Sequence, residues 1–219
     1  MKIHTLILVP YFLVIFPAVH LFYSTNKWVI DFWHIPYFVI SLIIVVACKQ
    51  VTLTQLGFNK QSIGKPLLIG SLLSILLILL IMLLDRLLLK TGLSETDLLT
   101  GAELRDPKEM GFYLSQSGII FNTLVIPFIE QLFITGYVIN NTLQKENAGR
   151  FILAGGLIYS ILNFNLSIGS LILGMISVAL LRTTGSIITP VLVNMGFAIA
   201  EVLIVLNHPR LISALVFLI

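Results

Sequence analysis

The sequence predicts an all-α integral membrane bundle of about seven or eight helices, and three observations predict it. Apolar residues make up 58% of the chain and charged residues 11%, and mean hydropathy is +1.04. These values lie far outside the range of soluble globular domains. The apolar residues fall in runs long enough to cross a bilayer, and the charges gather in the intervals between them. A single transmembrane domain, residues 1–219, is therefore expected, with the lipid bilayer as its surroundings. The net charge of +3 is small and spread over loops. No basic stripe is interleaved with aromatics, so nucleic acid is not an expected partner.

The first two spans read as residues 6–23 and 28–48. Pro10, Pro17 and Pro36 are expected to bend them, which membrane helices tolerate when neighbours satisfy the freed carbonyls. Lys2 ahead of the first run resembles a signal peptide. No small-x-small cleavage site follows, and more spans come after it, so a retained helix is expected. Residues 49–65, KQVTLTQLGFNKQSIGK, are basic and mildly amphipathic and read as a cytoplasmic interfacial segment. Cys48 stands alone, which excludes a disulfide within the chain and a thiolate metal site. Its place beside Lys49 at a membrane boundary is compatible with palmitoylation, but a small helix-packing residue is the plainer reading.

The third span, residues 66–84, is almost pure leucine and isoleucine and reads as lipid-facing scaffold. Residues 85–115 form the longest polar interval and suit an extracytoplasmic loop with one or two short helices. A fourth run covers 118–143. Two shorter apolar segments follow, 151–165 and 168–181, then a turn at Arg182 to Gly185 and a last span, 187–206. The apolar tail 211–219 is too short for an ordinary crossing. With the amino terminus inside, Lys49, Lys60, Lys65, Lys145, Arg150 and Arg182 all fall on the cytoplasmic side, which satisfies the positive-inside rule.

Within the fourth run, the stretch VIPFIEQLFITGYV sets Glu130 and Gln131 where solvating them is costly. An isolated carboxylate at such depth costs on the order of several kcal/mol, so it must be protonated, partnered or wet. Asn122, Asn163, Asn165, Asn194 and Glu201 are further amide and acid side chains of the later spans. Asn194 and Glu201 are one heptad apart, close to one helix face. An interior asparagine by itself can simply tie two helices together, worth about 0.6–2 kcal/mol. Taken together, Glu130, Asn163, Asn194 and Glu201 are expected to meet in one polar pocket.

This spacing resembles the membrane family of the CAAX prenyl endopeptidases and their bacterial homologues linked to bacteriocin processing and immunity. The family's first motif is Glu-Glu-x-x-x-Arg followed by glycine; here the chain reads Glu130, Gln131, Thr135 and Gly136. Its second motif is an aromatic followed four positions later by histidine, where Tyr159 and Asn163 stand. Its last, His-x-x-x-Asn, falls on Asn194 and Ala198. Leu173-Gly174, Leu181-Arg182, Gly185-Ser186 and Pro190 also fit the family frame, so the resemblance spans residues 116–206. It implies the CAAX endopeptidase fold, a bacterial plasma membrane location and, in intact members, peptide-bond hydrolysis with the glutamate activating water.

The departures carry as much information as the match. Gln131, Thr135, Asn163, Asn194 and Ala198 replace the second acid, the arginine, both histidines and the terminal asparagine. An asparagine can donate a hydrogen bond to an oxyanion, yet it shuttles no proton near neutral pH and ligates zinc poorly. His4, His20, His34 and His208 lie outside the motif helices, mostly near span ends, and no HExxH occurs. The sequence therefore leads one to expect no metal or other cofactor and no histidine at the site. Glu130 is expected to be protonated or held by an amide, and Thr135 to bond the carbonyl one turn back. The resulting expectation is a catalytically degenerate homologue acting as a scaffold, immunity factor or partner-binding protein for another membrane or envelope protein. Two alternatives stand beside it. One is an endopeptidase using Glu130, with a divalent metal as a conceivable helper. The other is a small-molecule transporter, which calls for an internal repeat or paired broken helices.

Overall fold

The computed structural model describes residues 3–58, 63–90, 115–207 and 211. They form seven helical rods and, among them, no strand: α1 (3–22), α2 (27–47), α3 (Gly64–Lys90), α4 (116–143), α5 (Ala148–Leu162), α6 (Ile168–Thr184) and α7 (Ile188–Asn207). The first four are long and apolar enough to span a bilayer, and α5, α6 and most of α7 are shorter apolar helices. The protein is an all-α integral membrane bundle. The segments 151–165 and 168–181 are separate helices, as their apolar runs predict. Lys60, His208, most of the 85–115 interval and all but Leu211 of the tail lie outside the described residues.

Short side chains at the helix starts explain where the rods begin. Asn26, Ser115, Asn147 and Ser167 each accept a hydrogen bond from the backbone N–H three residues on, satisfying a donor that the helix cannot. Gly185 ends α6 in the left-handed conformation, φ +63°, with its N–H on the Leu181 carbonyl.

Proline shapes α1, α2 and α4. Pro17 and Pro127 lack an N–H, so the carbonyls of Leu13 and Thr123 lose their usual donor and the ring crowds them. In both helices the turn just ahead widens to π winding, over Tyr11–Ile15 and Phe121–Val125. Phe16 N–H then bonds Tyr11 O, and Ile126 N–H bonds Phe121 O. Pro36 sits in the first turn of His34–Ala47, where no intrahelical donor is needed, and α2 is interrupted at Trp33 just before it. A third, longer π stretch, Gln131–Ile139, starts directly after Glu130 and is buried on nearly every side.

That stretch is the axis of the bundle. α2, α5, α6 and α7 all pack against α4. Segment 48–58 folds beneath it, with Val51 and Leu56 buried. Gly136 is required there, because a Cβ on it would lie 2.9 Å from the Leu56 carbonyl oxygen. α3 exposes Leu68, Leu72, Leu76 and Leu79 on one side and locks onto α7 with the other. A Cβ on Gly196 would sit 2.5 Å from Ser74 Cβ, and Ser74 Oγ donates to Leu192 O at 2.6 Å. This is the small-residue packing that brings membrane helices together when no hydrophobic gradient separates helix from lipid.

Candidate functional site

Glu130 is the last residue of a short α-helical turn, Ile126–Glu130, with the long π stretch immediately beyond. The change of winding re-aims the side chains that follow: Gln131 turns into the core and Glu130 faces α2 and α5. The Glu130 side chain is 14% exposed. Its Oε2 accepts from the Tyr159 hydroxyl at 3.4 Å. Tyr159 Oη in turn accepts from Asn194 Nδ2 at 3.2 Å. Three helices, α4, α5 and α7, thus join their polar groups in one chain. Gly174 makes this possible, since a Cβ on it would lie 2.6 Å from Tyr159 Cβ.

The other carboxylate oxygen meets a residue that sequence reasoning set aside. His34 Nε2 lies 3.4 Å from Glu130 Oε1, with 17% of the histidine side chain exposed. The imidazole is held edge-on to Phe38 at 5.6 Å and beside Trp33. The expectation that no histidine reaches the site is therefore wrong. Glu130, expected to be protonated or held by an amide, meets an imidazole and a phenol. The signal was available, because a histidine inside an apolar span carries the same desolvation cost that singled out Glu130.

The remaining motif positions are placed as follows. Gln131 is fully buried and donates to Ser177 Oγ at 3.0 Å on α6, while its own carbonyl oxygen has no partner. Thr135 is fully buried and its hydroxyl is unpartnered, contrary to the expected bond to the previous turn. The π winding explains this, because it moves that turn's carbonyl off the position an α-helix would give it. Asn163 caps the end of α5, half-buried and beside the Tyr159 hydroxyl, with its Oδ1 buried and unpaired. Asn165 is exposed and accepts from Ser167 N–H. Asn194 is buried, and Ala198 and Glu201 are half-buried. Tyr11, Tyr159 and Glu201 all lie within electrostatic reach of Glu130. The Tyr11 hydroxyl donates to Leu162 O at 2.7 Å, which ties α1 to the end of α5 under the site.

A protein-family model described as type II CAAX prenyl endopeptidase Rce1-like matches residues 114–200. Over that segment the chain is CAAX-endopeptidase-like. No curated protein and no solved structure matches the chain. The CAAX-like segment holds α4, α5, α6 and much of α7, and with them Glu130, Tyr159 and Asn194. His34 lies outside it. A metal does not fit the side chains at this CAAX-like site. Among the described residues no three His, Cys, Asp or Glu side chains gather as a metal site would require. Glu130 and His34 are two ligand-type groups, and neutral amides at 163 and 194 are poor zinc donors.

Proposed function

We propose that this membrane protein recognises a peptide segment of another membrane or envelope protein at the Glu130 site, as a CAAX-like homologue lacking most of the family's catalytic set. The supporting observation is the linked chain of Glu130, Tyr159 and Asn194, with the amide of Asn163 beside it. These groups offer a carboxylate for amide N–H donors and amide N–H for carbonyl acceptors, which is what an extended peptide presents. The substitutions at Gln131, Thr135, Asn163, Asn194 and Ala198 favour binding over turnover. A scaffold or immunity role in a bacterial plasma membrane, amino terminus cytoplasmic, is the setting this implies. Ile126, half-buried and one turn before Glu130 on the same α-helical turn, is the cross-linking position. A photoreactive residue there should join the site to a peptide segment, mapped by mass spectrometry. Adducts with lipid alone would sink the binding reading.

A second reading is favoured by one contact, that of His34 with Glu130. Hydrolysis needs an activated water, charge stabilisation at the carbonyl oxygen and a proton for the leaving nitrogen. The motif segment offers Glu130 and amide donors; the early helices add a histidine.

A further inference from the structure

We propose that His34, carried on α2, replaces the histidine function missing from the motif helices, making Glu130 and His34 a water-activating pair. The inference rests on the peptide-binding reading above, because a pair of this kind needs a peptide carbonyl placed before it.

The geometry assigns distinct tasks to the two carboxylate oxygens. Oε1 faces His34 Nε2 at 3.4 Å and Oε2 faces the Tyr159 hydroxyl at 3.4 Å. Both contacts are long for hydrogen bonds, which is common in unliganded sites that tighten on substrate. Neither side chain is sealed off, at 14% and 17% exposure. The imidazole lies edge-on to Phe38 and beside Trp33. Glu130 links it to the Tyr159 hydroxyl, and Tyr11 and Glu201 lie within electrostatic reach of the same carboxylate.

The step balances with water as the sole co-reactant. Glu130 takes one proton as the water oxygen bonds the peptide carbonyl carbon, and the C=O electron pair moves onto oxygen. Asn194 and Asn163 are the amides positioned to receive that charge. As the C–N bond breaks, the proton held by Glu130 goes to the leaving nitrogen, giving a free amine and a new carboxyl terminus. His34 acts through Glu130: its imidazole orients the carboxylate, and Glu130 alone carries the proton from water to the leaving nitrogen. It is a positioning residue, and Glu130 is the catalytic one.

The test uses the full chain in lipid nanodiscs with a proteome-derived peptide library supplemented with S-farnesylated peptides, incubated in ¹⁸O-water. New carboxyl termini carrying one ¹⁸O are counted by mass spectrometry. Wild type should produce them, and Glu130→Gln should lose at least about 100-fold. His34→Gln should lose about 10-fold or more with an altered pH profile, and added imidazole should restore His34→Gly, as loss of folding could not. Helix content by circular dichroism and monodispersity check each variant. The absence of Glu130-dependent termini in wild type overturns the proposal. So does a His34→Gln protein with wild-type yield and pH profile, or a folded His34→Gly unmoved by imidazole. Peptide capture at Ile126 in a protein that cleaves nothing would reject the pair and leave the binding reading intact. Loss of capture would reject that reading itself.

Discussion

Gln131 and Thr135 stand at two positions where the chain differs from the family motif it resembles. Both are fully buried, and each keeps a polar atom without a partner. In the family pattern these places hold an acid and an arginine that could neutralise one another. Here Gln131 is tied instead to Ser177. Ser177→Ala should leave the amide donor unpaired and cost about 1–3 kcal/mol, seen as a lower Tm in detergent. Ser177→Thr, keeping a hydroxyl, should lose less. Restoring the family arginine is expected to do worse than either. Thr135 sits in a full core between packed helices, so Thr135→Arg should cost more than about 3 kcal/mol through an uncompensated buried charge. The double change with Gln131→Glu should recover part of that loss. A double change no better than Thr135→Arg alone would show that the space for an ion pair has closed. The motif positions were legible in the sequence. What those side chains touch was not, because Ser177 is distant in the chain and meets Gln131 only through helix packing.

At the level of elements, apolar run length located most helix ends to within about three residues, whereas α3 runs on to Lys90, past the expected end at residue 84. The π turn ahead of Pro17 was half-legible, since a bend was expected at that proline without its kind; the one ahead of Pro127 was not foretold. The long π stretch after Glu130 had no such signal. It is surrounded by α2, α5, α6 and α7, so the packing of four neighbours, rather than a local preference, accounts for its winding. The close approach of α5 and α6 is a second feature that spacing only hinted at. Gly174→Ala would place a methyl group against Tyr159 Cβ, where the native separation leaves 2.6 Å. The expected result is about 1–3 kcal/mol of destabilisation by overpacking. Tyr159 should also be displaced from Glu130, read as faster chemical modification of the Tyr159 phenol. Unchanged reactivity would show that α5 does not depend on α6 for its position.

For the molecule as a whole, hydropathy alone carried the class and the order of spans. Orientation rests on charge bias, and a cysteine at position 60 in a Cys48→Ala background tests it. The introduced thiol should resist impermeant reagents applied to intact cells and react after permeabilisation; labelling before permeabilisation would invert the topology. The site was legible on one side only. The helices of residues 114–200 announced Glu130, whereas His34 belongs to a span with no motif, and a contact between such distant segments is written in three-dimensional packing. That division has a consequence for how the protein is made. The span bearing His34 is synthesised well before the one bearing Glu130. When the acid leaves the ribosome for the bilayer, its imidazole companion is already there to receive it. Chain order thus puts a partner ahead of the carboxylate that it meets.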